Sequence, residues 1–205
     1  QRFLKRTMDI LVSALMLLIT SPIFLVASIA IKLYDGGPVF YRQARCTMNG
    51  KVFHIFKFRS MIVDAEKDGK SQPAADHDPR ITPVGRILRA TRLDELPQLI
   101  DILIGNMSLV GPRPERVEHV EKYTEDLAEF EYRLKVRGGL TGYAQIYGKY
   151  NTSPYDKLQL DLIYIQNYSI FLDIKLILMT IKIMFMKEST EGFTEEQRKD
   201  IQEKE

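Results

Sequence analysis

Two adjacent carboxylates, Asp94 and Glu95, are the residues of this chain best suited to carry out chemistry. They precede a short apolar run that ends at Gly105-Asn106, a pair typical of helix ends. Pro97 suits the first turn of that helix and Thr91 suits its N-cap. Both carboxylates are therefore expected near the positive end of a helix dipole, where an ionised carboxylate can act as a nucleophile or bind a divalent cation.

A rigid turn follows the helix. A strand-like run from Met107 to Val110 leads into Gly111 and then Pro112-Arg113-Pro114. The prolines Pro112 and Pro114 restrict the backbone on both sides of Arg113, and a fixed guanidinium can clamp a phosphate. Taken separately, Asp94 and Glu95 could simply cap a helix and Arg113 could lie in a surface turn. Their occurrence within one short segment favours a catalytic site that handles phosphate.

This segment also carries a resemblance to a known family. Leu93-Asp94-Glu95-Leu96-Pro97-Gln98-Leu99, followed by Met107-Ser108-Leu109-Val110-Gly111-Pro112-Arg113-Pro114, resembles the signature of bacterial monotopic phosphoglycosyl transferases. The resemblance covers nearly all of the chain to about Lys187. The ending from Tyr155 to Thr180 is similar to the catalytic part of larger members, which carry additional membrane helices upstream. It implies transfer of a sugar-1-phosphate from a UDP-sugar to polyprenyl phosphate.

Composition sets broad limits on the protein. The 205 residues, of which 45% are hydrophobic, can form one domain with a substantial core. A net charge of +2 excludes a strongly basic nucleic-acid-binding protein by bulk charge. The single cysteine, Cys46, cannot form an internal disulfide and fits a reducing compartment. The histidines form no zinc pattern with it, and the first residue, Gln1, is compatible with a piece of a longer protein.

An apolar run without charge extends from Ile10 to Ile31. As a helix it would be about 33 Å long, enough to enter or cross a bilayer. Pro22 removes a backbone hydrogen bond near its middle, and Ser21 can satisfy the freed carbonyl. Cations flank both ends of the run: Arg2, Lys5 and Arg6 before it, and Lys32, Arg42, Arg45 and Lys51 after it.

Cations at both ends argue against placing one end outside the cell. The sequence therefore predicts a helix that enters the membrane, breaks at Ser21-Pro22 and returns to the same face, and the family resemblance implies the same re-entrant hairpin. Two alternatives stay open: a straight span kinked at Pro22, and a buried helix of a soluble protein.

Asn49-Gly50 is a strong signal for a β-hairpin. After it, Phe56-Lys57-Phe58-Arg59-Ser60-Met61 alternates aromatic and cationic residues, so Lys57 and Arg59 are expected on one face of a strand. That face is either solvated or directed at a diphosphate, and the family match in this run favours the second interpretation.

Of the arginines in a predicted helix from Gly85 to Leu93, Arg89 is the expected active-site contact because it lies one helical step from the acidic pair. Some of the arginines in this region, Arg80, Arg86, Arg89 and Arg92, are expected to contact lipid head groups rather than substrate.

The second half begins with a charge-rich helix whose acidic residues indicate a solvated face. A glycine-rich turn then enters a strand at Gly138-Gly139, where the family usually has Pro-Gly, which suggests a looser turn. A further helix is predicted from Tyr155 to Ser169. The apolar stretch from Ile170 to Lys187 carries Lys175 and Lys182 on one face and favours a cationic amphipathic helix in the membrane interface, with a core-packed helix as the alternative.

We therefore expect a mostly helical α+β fold, with the re-entrant membrane hairpin in residues 1–33. Residues 34–187 would form a catalytic domain on the cytosolic face of the bacterial inner membrane, with a small β-hairpin and interfacial helices, and 188–205 a polar tail. Loop 66–78 is a candidate to close over a bound nucleotide. The lipid bilayer is an expected partner, nucleic acid is not, and a homo-oligomer is compatible with the sequence.

The predicted mechanism has two displacements. Asp94 attacks the sugar-side phosphorus of the UDP-sugar and releases UMP, and the polyprenyl phosphate then takes the phospho-sugar from Asp94. Mg²⁺ bound by Asp94 and Glu95, together with Lys57, Arg89 and Arg113, would neutralise the transferring group. The alternatives are a one-step transfer with Asp94 as a metal ligand only, and a non-catalytic membrane anchor. A UDP-hexose such as glucose or galactose is the donor expected from resemblance to polysaccharide-initiating members.

Overall fold

The computed structural model describes residues 1–65, 78–148 and 152–184. It confirms the predicted mostly helical α+β fold. The helices are α1 (Arg2–Asp35), α2 (Pro83–Ala90), α3 (Gln98–Ile104), α4 (Val117–Asp126), α5 (Tyr143–Tyr147), α6 (Pro154–Gln166) and α7 (Ile170–Met184). The strands are β1 (Phe40–Cys46), β2 (Val52–Phe58), β3 (Met107–Val110) and β4 (Gly138–Thr141). The predicted nucleotide-covering loop, apart from Asp78, and the polar tail lie outside the described residues.

Helix α1 is 34 residues long and continues through Pro22, so the structure does not show the expected break into two helices. The helix can continue because hydroxyl groups next to Pro22 bond the backbone carbonyls of the preceding turn. Pro22 has no N–H to donate to the carbonyl of Leu18, and the Ser21 Oγ donates to that carbonyl instead, at 2.8 Å. This bond confirms the predicted role of Ser21. The Thr20 Oγ1 similarly donates to the Met16 carbonyl at 2.7 Å.

One narrow face of α1 packs against the rest of the protein along the whole helix. Its buried residues recur at helical spacing and are Asp9, Ser13, Thr20, Ala27 and Ile31. Only 17% of the most apolar 18-residue window is buried, which overturns the alternative of a core helix in a soluble protein. The remaining faces expose large apolar side chains such as Leu18, Val26 and Leu33. By length and composition α1 can enter a membrane.

Both halves of α1 contact the same folded body. Val12 and Leu17 pack against the core cluster that contains Leu99, Ile102 and Met107. The second half contributes Ala27 and Ile31 to a neighbouring cluster built around Phe58 and Leu88, and Phe24 packs edge-on against Phe58 with ring centroids 5.0 Å apart. The helix therefore lies along the domain rather than projecting away from it.

The β-hairpin is confirmed. Strands β1 and β2 pair antiparallel from Phe40 opposite Phe58 to Cys46 opposite Val52. In the connection Asn49 has φ 60° and Gly50 has φ 71°, values in the left-handed region that asparagine and glycine tolerate best.

Strand β3 pairs in parallel with β4, and both are almost fully buried. Helix α3 ends at Gly105, with φ 96°, as the sequence predicted. Gly138 and Gly139 do not form a loose turn. A Cβ on Gly139 would lie 2.1 Å from the Gly111 nitrogen, so the strand must be glycine there for the two segments to approach so closely.

Helices α6 and α7 cover the same core through the buried residues Leu158, Tyr164 and Leu176. The acidic side chains of α4 and the segment after it are exposed, as predicted: Glu118, Glu121, Glu125, Asp126, Glu129 and Glu131. Helix α7 has both of the features considered for it. Its inner face packs on the core through Leu176, while its outer face exposes Phe171, Ile174, Leu178 and Ile181.

Candidate active site

Asp94 and Glu95 lie in a short 3₁₀ helix, Leu93–Glu95, between α2 and α3. Arg92 has φ 56° and reverses the chain direction just before the pair. The prediction that Thr91 caps the following helix is wrong. Thr91 ends α2, where its hydroxyl donates to the carbonyl of Ile87 at 2.8 Å. Pro97 takes the expected place at the start of α3. Both carboxylates are half-buried rather than exposed on a helix surface.

Glu95 is neutralised by two cations. Lys57 Nζ lies 2.7 Å from Glu95 Oε1, and the Arg113 guanidinium bonds both oxygens of the same carboxylate, with its second contact at 3.4 Å. Burial raises the pKa of Glu95, but Arg113 and Lys57 outweigh burial and hold that pKa well below its usual range. Glu95 is therefore ionised and fixed in position at neutral pH.

Asp94 has a different environment. Among the described residues, no hydrogen bond or ion pair to its carboxylate is found. Burial raises the pKa of Asp94, with the charge of Lys57 and, to a smaller degree, that of Arg89 acting in the opposite direction. The two neighbouring carboxylates thus differ: Glu95 is held by cations, while Asp94 is available to a substrate or a metal ion.

Lys57 reaches Glu95 because it points into the domain. Along β2 the buried side chains of Phe53 and Ile55 share a face, and Lys57 continues that face by the two-residue period of a strand. A solvated basic face is therefore ruled out for Lys57. Burial lowers the pKa of Lys57, with Glu95 acting against the shift.

Arg59 lies just beyond β2 and serves another contact. Its guanidinium pairs with both carboxylate oxygens of Asp35 at the end of α1 and also donates to the Pro38 carbonyl at 2.7 Å. The structure therefore brings Lys57, Arg113 and the acidic pair together but places Arg59 at the junction of α1 with the domain. Arg89, on the last turn of α2, is near enough to Asp94 to affect its pKa.

The turn that carries Arg113 is fixed by bonds to three successive carbonyls. Gly139 N donates to the Pro112 carbonyl at 2.9 Å, Arg133 to that of Arg113 at 3.0 Å, and Arg45 to that of Pro114 at 3.1 Å. Pro112 and Pro114 are themselves buried. Because the backbone of the turn is held in this way, the Arg113 side chain is directed toward Glu95.

A buried ionic network supports this turn from behind. Arg133 Nε lies 2.6 Å from Asp161 Oδ2 on α6, and Lys157 of the same helix pairs with Glu115. The roles of Arg133, Asp161 and Glu115 were not predicted from the sequence. The one available signal was weak: Arg133 stands three residues after the buried Phe130, on the side of the segment that packs inward.

The fit of these residues to a magnesium ion can be judged from their partners. Among the described residues, no group of three or more His, Cys, Asp or Glu side chains could hold a metal. Mg²⁺ commonly uses one or two carboxylates together with substrate phosphate oxygens. Asp94 fits that requirement, whereas both oxygens of Glu95 are engaged by Lys57 and Arg113. The donor set therefore fits a metal bound through Asp94 and a diphosphate substrate better than one bound by both carboxylates.

Comparisons with known proteins show the family to which the chain belongs. A family model described as "Bacterial sugar transferase" matches residues 1–187. The UDP-glucose:undecaprenyl-phosphate glucose-1-phosphate transferase of Klebsiella pneumoniae is 45% identical over 190 residues, which cover 90% of this chain and 41% of that protein. A UDP-N-acetylgalactosamine-undecaprenyl-phosphate N-acetylgalactosaminephosphotransferase of Aeromonas hydrophila is 40% identical over 183 residues, covering 88% of this chain and 43% of that protein.

The uncharacterized sugar transferase EpsL of Bacillus subtilis (strain 168) is 38% identical over 185 residues, which cover 90% of this chain and 89% of that protein. The chain thus spans nearly all of one relative and about two-fifths of the length of the first two. The match of the family model over residues 1–187 shows that the chain belongs to the bacterial sugar transferase family.

Proposed function

We propose that this chain moves a sugar-1-phosphate from a UDP-sugar to undecaprenyl phosphate at the cytosolic face of the bacterial inner membrane, as the first step of a polysaccharide or glycoconjugate. The observation that carries the proposal is the unequal acidic pair, with Asp94 available and Glu95 held between Lys57 and Arg113. Names of relatives such as the Klebsiella pneumoniae and Aeromonas hydrophila proteins supply the substrate class.

The reaction proceeds by two displacements on phosphorus. In the first, an oxygen of the ionised Asp94 bonds to the sugar-side phosphorus, the bond to the bridging oxygen breaks, and UMP leaves with that electron pair. In the second, an oxygen of undecaprenyl phosphate bonds to the same phosphorus and the Asp94 carboxylate is restored. Since UMP can leave before the lipid phosphate reacts, the two anionic substrates need not be bound together.

Lys57 and Arg113 supply fixed positive charge beside Asp94. Both are already oriented by Glu95, so little reorganisation is needed when negative charge develops on the transferring group. Glu95 in this scheme positions the two cations. Mg²⁺, held through Asp94 and the diphosphate, would supply further charge neutralisation and favour departure of UMP.

The exposed apolar surfaces support the placement at a membrane. Helix α1 exposes apolar side chains on every face but one, and α7 exposes an apolar stripe with Lys175 and Lys182 beside it. Lysines next to an apolar face suit the boundary of an anionic leaflet. Contacts from both halves of α1 to one folded body favour a path that enters and leaves on the same side of the bilayer.

A screen of UDP-sugars for UMP release tests the activity. We expect release from at least one UDP-hexose or UDP-N-acetylhexosamine when undecaprenyl phosphate is present. A non-catalytic membrane anchor would release none from any donor.

Mass spectrometry tests the covalent step. Incubation with the active donor but without lipid acceptor is expected to add the mass of the phospho-sugar to the peptide that contains Asp94. Turnover without that adduct would favour the one-step transfer, in which Asp94 is a metal ligand only.

A further inference from the structure

The first turns of α1 hold the far end of α3. The Arg6 guanidinium donates to the carbonyls of Ile102 at 2.6 Å and Leu103 at 2.8 Å. Carbonyls in the last turn of a helix have no partner within the helix, so Arg6 caps α3 from a different element. Helix α3 begins three residues after Glu95. Arg6 therefore fixes the helix that directly follows the acidic pair.

The same turns hold strand β3. Asp9 Oδ1 accepts hydrogen bonds from the Leu109 N–H and the Ser108 hydroxyl, each at 3.0 Å. Lys5 Nζ donates to the Val110 carbonyl at 2.9 Å. Arg113 follows Val110 by three residues. Lys5 and Asp9 therefore fix β3, the strand that leads to Arg113.

These contacts are themselves buried and specific. Lys5 Nζ also pairs with Asp173 Oδ2 of α7 at 2.7 Å, and the Tyr164 hydroxyl of α6 donates to the other Asp173 oxygen at 2.8 Å. Asp9 and Asp173 are at most 1% exposed. A buried ion pair adds little net stability compared with apolar packing, but it penalises every arrangement in which the partners do not meet. The cluster therefore specifies one seat for α1.

We propose that Lys5, Arg6 and Asp9 are positioning residues of the transferase site, which act through α3 and β3 to set Arg113 against the acidic pair. This inference rests on the proposed function. None of the three touches the reacting groups. Docking of α1 on the domain and assembly of the site therefore occur together. A chain in which α1 is displaced has a disordered Arg113 turn even when its core remains folded.

The test uses the full chain in nanodiscs of phosphatidylethanolamine and phosphatidylglycerol. Arg6→Gln and Asp9→Ala remove the contacts, while Arg6→Lys and Asp9→Asn retain a donor or acceptor at the same place. Arg2→Gln is the matched control, because Arg2 is an exposed cation that also precedes the apolar run. We expect kcat to fall at least about 10-fold in the first two variants, with a smaller change in KM for the donor, since misplacement of about 1 Å can cost more than that.

A double variant, Asp9→Ala with Arg113→Lys, distinguishes a positioning effect of Asp9 on Arg113 from general destabilisation of the fold. If Asp9 acts through the clamp, Asp9→Ala should cost much less in an Arg113→Lys background than in the wild type, because the interaction it supports is already impaired. Substantial recovery in Arg6→Lys and Asp9→Asn is also expected. Additive losses, or an equal loss in Arg2→Gln, would overturn the proposal.

Hydrogen–deuterium exchange gives a readout that does not depend on the reaction. In Asp9→Ala we expect faster exchange at Leu109 and through the Arg113 turn, with unchanged exchange in the buried part of α6. In the control Arg2→Gln we expect wild-type exchange throughout. If the wild type releases no UMP from any donor, the proposed function fails, and exchange alone then decides whether α1 positions this segment. Unchanged exchange in that segment would reject the positioning role.

Discussion

At the scale of single residues, adjacency does not give Asp94 and Glu95 the same chemistry. Glu95 forms ion pairs with Lys57 and Arg113, and its charge holds those two cations in place. Asp94 is the carboxylate that remains available for a substrate. The identity of the neighbours, rather than the identity of the acid, divides the pair into Asp94, which we propose reacts, and Glu95, which orients two cations.

The organising role of Glu95 predicts the effect of its neutral analogue. Glu95→Gln removes the charge that orients Lys57 and Arg113, and we expect kcat for UMP release to fall about 100-fold, the scale of losing one preorganised charge contact. Membrane association should not change. Glu118→Gln, an exposed acidic residue on α4, is the control and should retain wild-type turnover. Wild-type kcat in Glu95→Gln would contradict the role.

Glu115 gives a prediction for stability against pH. Burial alone would raise its pKa, but Lys157 and Arg133 lower it from the ordinary 4.5 to about 2. A depressed folded-state pKa means that the ionised group stabilises the fold above pH 4.5 and that this stabilisation is lost as the pH falls toward 2. The full effect is on the order of 3 kcal/mol.

Thermal unfolding of the detergent-solubilised chain at pH 7 and at pH 3.5 measures this effect. Glu115→Gln should be less stable than the wild type at pH 7 and should lose less of its stability on acidification. Glu118→Gln should follow the wild type at both pH values. An unchanged acid dependence in Glu115→Gln would show that the Glu115 network does not govern stability at low pH.

At the scale of elements, α1 combines an exposed apolar surface with an inner face that supports the fold. Its inner face carries buried polar groups in the first half and apolar groups in the second, and its other faces are apolar and exposed. Such a helix cannot be removed without exposing the core clusters that its inner face covers.

The side of the membrane on which each end of α1 lies can be measured. In a background where the buried Cys46 is replaced by Ser, single cysteines replace the exposed Phe3 or Tyr34. A membrane-impermeant maleimide should label both positions in inside-out vesicles and neither in intact spheroplasts. Labelling of the two positions from opposite sides would establish a span and remove the re-entrant path.

Local sequence signals predicted the elements well. Asn49-Gly50 determines the hairpin and Gly105 ends α3. Each of these signals acts within a few residues, so a single sequence contains it.

Contacts between distant segments were not predicted. The pairings of Arg59 with Asp35, Arg133 with Asp161 and Asp9 with Ser108 join segments separated by 24 to 99 residues. The face of Lys57 was assigned from the neighbouring aromatics, but β2 buries side chains in two different clusters. Position along the chain therefore does not reveal which face meets the acidic pair.

At the scale of the whole molecule, the exposed surface includes two unlike kinds: the apolar faces of α1 and α7, and the acidic residues of α4 and the segment after it. An acidic surface is repelled by an anionic leaflet, whereas an apolar stripe with lysines is attracted to it. We therefore expect α7 to lie at the bilayer boundary and the acidic surface to face the aqueous phase.

The chain has no tryptophan, so a single introduced one reports its own surroundings. Phe171→Trp, at a position that is 86% exposed on α7, should give blue-shifted emission that brominated lipids quench. Tyr132→Trp, beside the acidic Glu131, should emit as in water and resist such quenching. Emission from position 171 that is typical of water would show that α7 does not touch the bilayer.

The pairing of Lys5 with Asp173 has a consequence for biogenesis. These partners are 168 positions apart, so at about 5–20 residues per second a ribosome needs roughly 10–30 s to supply the second after the first. During that interval α1 has been made, but its Lys5 lacks the carboxylate that pairs with it in the folded protein. We therefore expect a nascent chain truncated before α7 to leave Lys5 without its buried partner, so that α1 takes its final place only after α7 has been made.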